Sequence, residues 1–121
     1  MSASSKRKGK TGELECSKAI SKHLGIEARR GVQYSGGTDS PDVVSDLEGI
    51  HFEVKRTESF RLWDAMQQAQ EDAGNKVPVV VHRKNRKPWV VICCLSDLGD
   101  LATEIADHWR RNEIDCENKA Q

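Results

Sequence analysis

Aromatic residues are scarce, 5% of the chain, and no apolar run approaches the roughly 18 to 20 residues that span a bilayer. The opening residues, MSASSKRKGKTG, lack the apolar stretch of a secretory signal, so the chain is expected to stay in the cytoplasm without a membrane partner. Four cysteines (Cys16, Cys93, Cys94, Cys116) include no CxxC and no zinc-type Cys/His spacing. Neither a structural zinc nor a disulfide framework is indicated, and they read as reduced thiols. Net charge is also missing, since 19 Lys and Arg balance 19 Asp and Glu. Internal repeats are absent, and the only low-complexity stretch is the N-terminal arm.

What is present is ordinary for a modest globular core: 121 residues, 36% hydrophobic and 31% charged. One domain over 11–111 is expected, between a basic disordered arm (1–10) and a flexible tail (112–121). The zero net charge conceals clusters. Lys6, Arg7, Lys8 and Lys10 crowd the start, and Arg83, Lys84, Arg86 and Lys87 crowd HRKNRKP, while acid collects in the last third. Two basic patches can form one electropositive face, or can be a solvated tail and a solvated turn.

Apolar spacing predicts a helix from Thr11 to Leu24, with Thr11 as N-cap and Gly25 as stop. Glu13 lies seven residues before Ile20, two helical turns away, and so shares the apolar face; Glu15 is expected to be solvated. Ala28–Tyr34 reads as a first strand and SGGTDSP as a loop. Asp42–Leu47 and Ile50–Arg56 read as a hairpin turning at Glu48-Gly49. Alternation puts Ile50, Phe52 and Val54 on one face of the second strand, and His51, Glu53 and Lys55 on the other. Arg61–Ala73 reads as a helix, Val77–His82 and Trp89–Leu95 as strands, and Ser96 or Asp97 should cap a last helix that runs to about Arg110. The resulting order is αβββαββα, an α/β fold with a mixed central sheet flanked by helices.

An inward Glu13, an Asp42 at a strand start and a neighbouring Glu53/Lys55 pair would repel and shift one another's pKa values unless a cation compensated. Carboxylate oxygens completed by water and phosphate oxygens suit Mg²⁺. Such an ion activates water and offsets charge on a phosphoryl transition state, and Lys55 can position or deprotonate the water or stabilise the developing charge. Each piece also has a plainer reading. Asp42 can be a turn residue, Glu53 and Lys55 a solvated edge, and Glu13 a helix-start residue favoured by the macrodipole. His51 shares the Glu53/Lys55 face but is expected to be an exposed strand histidine. Trp63, Trp89 and Trp109 are expected to serve core or dimer packing rather than base stacking.

Pro41-Asp42 followed eleven residues later by Glu53-Val54-Lys55 resembles the pattern of the PD-(D/E)xK nuclease superfamily. KGKTGELE resembles the first helix of archaeal Holliday junction resolvases and small phage nucleases. ARRGVQYSGGTDSPDVV resembles their basic strand, Gly/Ser loop and acidic strand, AMQQAQEDA their glutamine-bearing helix, and VPVVVHRKNRKPWVVI their closing strand pair. The resemblance covers about Lys8 to Ile92. It implies a restriction-endonuclease-like core, metal ligation by Asp42 and Glu53 with Glu13 completing the acidic cluster, and Lys55 as the catalytic lysine. Of Gln67, Gln68 and Gln70, the family's Gln-Ala step best fits Gln68. The resemblance also implies DNA contacts at Lys8, Lys10, Arg29 or Arg30, Ser35 and Gly36, with Arg56 as a phosphate contact or a solvated charge.

The function expected is a Mg²⁺-dependent DNA endonuclease, with Mn²⁺ able to substitute, acting as a monomer or homodimer. A phage-type nuclease acting on duplex or branched DNA, in the host cytoplasm if phage-encoded, is the first expectation. A dimeric Holliday junction resolvase, whose paired nicks call for two-fold symmetry, is the second. A non-catalytic DNA-binding module and a small metal-binding protein without a nucleic-acid partner stand as other classes.

Overall fold

The computed structural model describes residues 3–31 and 42–119. Elements run α1 (Ala3–Leu24), β1 (Ala28–Arg30), β2 (Val43–Ser45), β3 (Ile50–Arg56), α2 (Leu62–Ala73), β4 (Val77–Arg83), β5 (Val90–Ile92), a single 3₁₀ turn (Leu95–Asp97) and α3 (Leu98–Lys119). The αβββαββα order stands. Among the described residues, no helix is long and apolar enough to cross a membrane.

β3, β4 and β5 form a mixed sheet. β3 runs parallel to β4, with Phe52 opposite Val79 and Glu53 opposite Val80, and β4 runs antiparallel to β5. Parallel neighbours need a crossover rather than a tight turn, and α2 supplies it. The two sheet faces divide as strand alternation requires. Ile50, Phe52, Val79 and Val81 join Cys16 and Ile20 of α1, Val43 and Leu47 around β2, and Leu101 of α3 in the larger core. Val80 faces the other way, onto Ala65, Met66 and Ala69 of α2. Alanines at two of these three positions let the helix lie close to the strand that carries Glu53.

The expected hairpin does not form. β2 pairs antiparallel with β1, Arg29 opposite Val44, and Asp46 N–H donates to the Glu27 carbonyl at 3.1 Å. β3 takes β4 as its partner instead. The free edge of β3 is occupied at Val54, whose N–H donates to Asp42 Oδ2 at 2.9 Å. A side chain stands where a hairpin would place a backbone carbonyl.

Two helices are longer than expected. α1 begins at Ala3, so residues 3–10, expected as a disordered arm, continue the helix, and Thr11 is interior rather than a cap. No proline interrupts this stretch, and its Lys, Arg and Ala are good helix formers. α3 continues through the expected tail to Lys119, with no Gly or Pro beyond Gly99.

α1 ends at Gly25, whose φ of +64° suits a residue without a Cβ just past a helix. The Leu24 carbonyl accepts a 2.7 Å hydrogen bond from Trp109 Nε1, tying α3 to this end. At the site's end of α1, Gly12 lies against β3: a Cβ there would sit 2.6 Å from Arg56 Cβ. That close crossing fixes where Glu13 and Glu15 fall.

Candidate active site

β3 presents His51, Glu53 and Lys55 to the side covered by α2, as alternation predicted. Burial there is deeper than expected. Glu53 is 4% exposed and His51, expected at the surface, 7%, because α2 closes over the start of the strand. His51 Nε2 lies 3.3 Å from Glu53 Oε1. Lys55 Nζ stands 3.9 Å from Glu53 Oε2 and donates to Gln68 Oε1 at 2.8 Å. The two other glutamines considered are engaged elsewhere, Gln67 with Glu71 and Gln70 with the Cys94 sulfur.

Asp42 approaches from the other strand pair. Its carboxyl accepts from Val54 N–H and is hydrogen-bonded to Glu53. Burial pushes the Asp42 carboxyl up to about 7, with the adjacent Glu53 charge adding to the rise, the Val54 N–H opposing it, and Glu13 contributing further. Burial alone would raise Glu53 too, but hydrogen bonds from His51 and Asp42 and the Lys55 charge outweigh it, leaving Glu53 below the usual value. Below about pH 7 the two carboxyl groups therefore hold one proton between them, favouring Asp42 over Glu53.

Glu13 reaches the cluster from α1, close enough to act on Asp42, and accepts from Arg30 Nε at 2.9 Å. Arg30 is thereby engaged by an acid of the cluster, whereas Arg29 is exposed. Glu15, expected to be solvated, is half-buried and pairs with Arg83 and, at 3.8 Å, with Arg56. Arg56 also donates to Asn85 Oδ1 at 2.8 Å. These groups border a cavity of about 240 Å³ lined by Gly12, Glu15, Arg56, Thr57 and Asn85. The Lys10 side chain is exposed; the Lys8 side chain, Ser35 and Gly36 lie outside the described residues.

The tryptophans divide. Trp89 packs against the larger core, Trp109 holds the end of α1, and Trp63 is 79% exposed in the first turn of α2. Two residues that sequence reasoning set aside or missed also stand at the cluster. The ligating atoms of His51, Glu53 and Asp72 all lie within 4.8 Å of one another. Asp72 follows Gln68 by four residues, one helical turn, and that spacing was the available signal.

With Asp42, Glu53 and Lys55 joined on one strand edge and Gln68 over them, residues 4–121 match the model of a family described as "Phage putative PDDEXK endonuclease". No curated protein matches the chain.

Proposed function

This chain belongs to the phage PD-(D/E)xK endonuclease family, and from that premise we propose that it is a metal-dependent DNA endonuclease hydrolysing phosphodiester bonds at Asp42, Glu53 and Lys55. One observation carries the reading: a lysine amine is held between Glu53 and Gln68, where the half-buried Asp42 meets the buried Glu53. An ion pair kept only for stability has no need of a second carboxyl whose ionisation the first one opposes.

The donor set fits a divalent cation. A half-buried and a buried carboxyl group side by side favour either a shared proton or a cation, and both offer the hard oxygens that Mg²⁺ and Mn²⁺ accept. Asp42 and Glu53 would hold the ion, with Glu13 completing the acidic cluster. Such an ion supplies a Lewis acid that makes water nucleophilic near neutral pH and offsets charge gathering on the phosphoryl group.

The remaining work falls to the chain's own side chains. Lys55 Nζ, kept in place by Gln68, offers N–H donors to an attacking water or to a phosphate oxygen. The Val54 N–H fixes the orientation of Asp42 from behind. Lys10 and the exposed Arg29 are available for phosphate contact, with Lys8, Ser35 and Gly36 proposed beside them. Arg30 and Arg56 would reach DNA by exchanging Glu13 and Glu15 for phosphate. Residues 11–111 carry the proposed nuclease domain.

A dimeric junction resolvase is the second reading, favoured by exposed apolar side chains at the outer strand and the turn after it: Val91 60% and Leu95 86% exposed. Sedimentation of the free protein and a junction-versus-duplex binding comparison separate the two substrates. The test of the activity itself is cleavage of branched, linear and supercoiled DNA with and without Mg²⁺, by wild type and by Asp42→Ala, Glu53→Ala and Lys55→Ala. Activity surviving in all three variants refutes it.

A further inference from the structure

Among the described residues, His51, Glu53 and Asp72 are the one His/Cys/Asp/Glu group whose ligating atoms converge as a metal would require. The proposed nuclease chemistry uses Glu53 and leaves His51 and Asp72 idle. We propose that these three side chains form a second divalent-cation site, on the α2 side of Glu53, preferring a nitrogen-accepting ion such as Mn²⁺ over Mg²⁺.

The two oxygens of Glu53 already face different neighbours. Oε1 is 3.3 Å from His51 Nε2, and Oε2 is 3.9 Å from Lys55 Nζ on the side where the proposed chemistry lies. A carboxylate so placed can serve one cation with each oxygen. His51 is an expensive residue to bury, and its Nε2 points at a carboxylate oxygen rather than at a backbone carbonyl. Both atoms, a ring nitrogen and a carboxylate oxygen, are ones that a divalent cation accepts. Asp72 supplies the third ligand from an exposed position on α2, leaving the outer side of the ion open to water.

The donor set gives the preference. Imidazole nitrogen is a poor ligand for Mg²⁺, which takes oxygen and keeps much of its water, whereas one nitrogen among carboxylates is readily accepted by Mn²⁺ and later ions of the row. The Asp42 side of Glu53 offers oxygen alone. One glutamate would thus divide an oxygen-only position from a mixed position.

The inference shares Glu53 with the proposed nuclease reading but stands on two residues that reading does not use, and its test is a binding measurement. Metal-free full-length protein is titrated with Mn²⁺ and followed by electron paramagnetic resonance, with pulsed detection of nitrogen nuclei near the ion. Wild type should bind two ions, one coupled to a nitrogen. His51→Gln should lose the nitrogen coupling and one ion. Asp72→Asn, a near-isosteric change at an exposed position, should weaken that same site about ten-fold or more. Asp42→Asn should lose the other ion and keep the nitrogen signal. Excess Mg²⁺ should displace the uncoupled ion first. A nitrogen coupling that survives His51→Gln, or unchanged affinities in Asp72→Asn, overturns the proposal. A chain that binds Mn²⁺ through nitrogen but cuts no DNA would sink the nuclease reading and leave this site standing.

Discussion

Lys55 Nζ donates to Gln68 Oε1 at 2.8 Å, joining the last third of β3 to the middle of α2. An exposed hydrogen bond of this kind adds little stability. Its consequence is positional, because it selects one of many conformations open to a flexible four-carbon stem.

Gln68→Ala should therefore leave the melting temperature nearly unchanged and lower the cleavage rate, by roughly 10- to 100-fold if the amine is misplaced by an ångström or so. The loss should fall on kcat rather than KM, and Gln68→Glu, which still offers an acceptor, should recover part of it. Steady-state cleavage of a labelled duplex decides; a full-rate Gln68→Ala would show that Lys55 needs no such partner.

In metal-free protein, the stability of the fold should fall as pH rises from about 4 to about 7. Asp42 sits at about 7 in the folded chain against an ordinary 3.8, so across that interval the folded state binds a proton that the unfolded state does not. Glu53, shifted the other way, contributes stability that is fully present above its ordinary 4.5 and is lost as pH falls through its lowered folded value, so the Asp42 slope is read cleanly between pH 5 and 7. Asp42→Asn should abolish cleavage, flatten the slope between pH 5 and 7, and make the metal-free protein relatively more stable at pH 8. Thermal melts across that range check it; an unaltered slope in the variant would assign the dependence to other groups.

Cation binding should tighten as pH passes upward through about 7, with release of a proton, because the Asp42–Glu53 pair must give one up to become a ligand pair. Calorimetric titration of Mg²⁺ in two buffers of different ionisation enthalpy counts that proton. Identical heats in both would mean that the pair is already deprotonated.

Gly12→Ala should destabilise the protein by about 1–3 kcal/mol, the usual cost of forcing atoms into a packed contact. The new methyl would lie 2.6 Å from Arg56 Cβ, so α1 or β3 must move. Cleavage should drop as well, since the same shift displaces Glu13. Gly99→Ala, on α3 where a Cβ meets nothing within 4 Å, is the matched control and should be neutral or stabilising.

Much of this was legible in the sequence for local reasons. Strand alternation in IHFEVKR placed Glu53 and Lys55 on one face, and the apolar rhythm of Leu62, Ala65, Met66, Ala69 and Ala73 marked α2 as a helix with one packed side. Which strands pair is a long-range choice, and the hairpin reading failed there: Glu48-Gly49 makes a turn, but β1 competes for β2 and β4 for β3. The burial of His51 depends on how far α2 reaches along β3, which no window of neighbouring residues encodes. Glu15 seemed a surface acid because its partners, Arg56 and Arg83, are distant in the chain. Helix α1 exceeds its expected length because a run of basic residues reads as an arm, yet that run holds no proline, and Gly9 alone does not end the helix.

Helix α2 carries Gln68 toward Lys55 and Asp72 toward His51 on one rigid rod, a single turn apart. The two side chains keep a fixed phase, and inserting or deleting one residue between them would swing Asp72 by about 100° around the axis while leaving Gln68 in place. A length change within that turn would thus break the pairing of the two side chains, and relatives that differ in loop length should share an unbroken four-residue interval there.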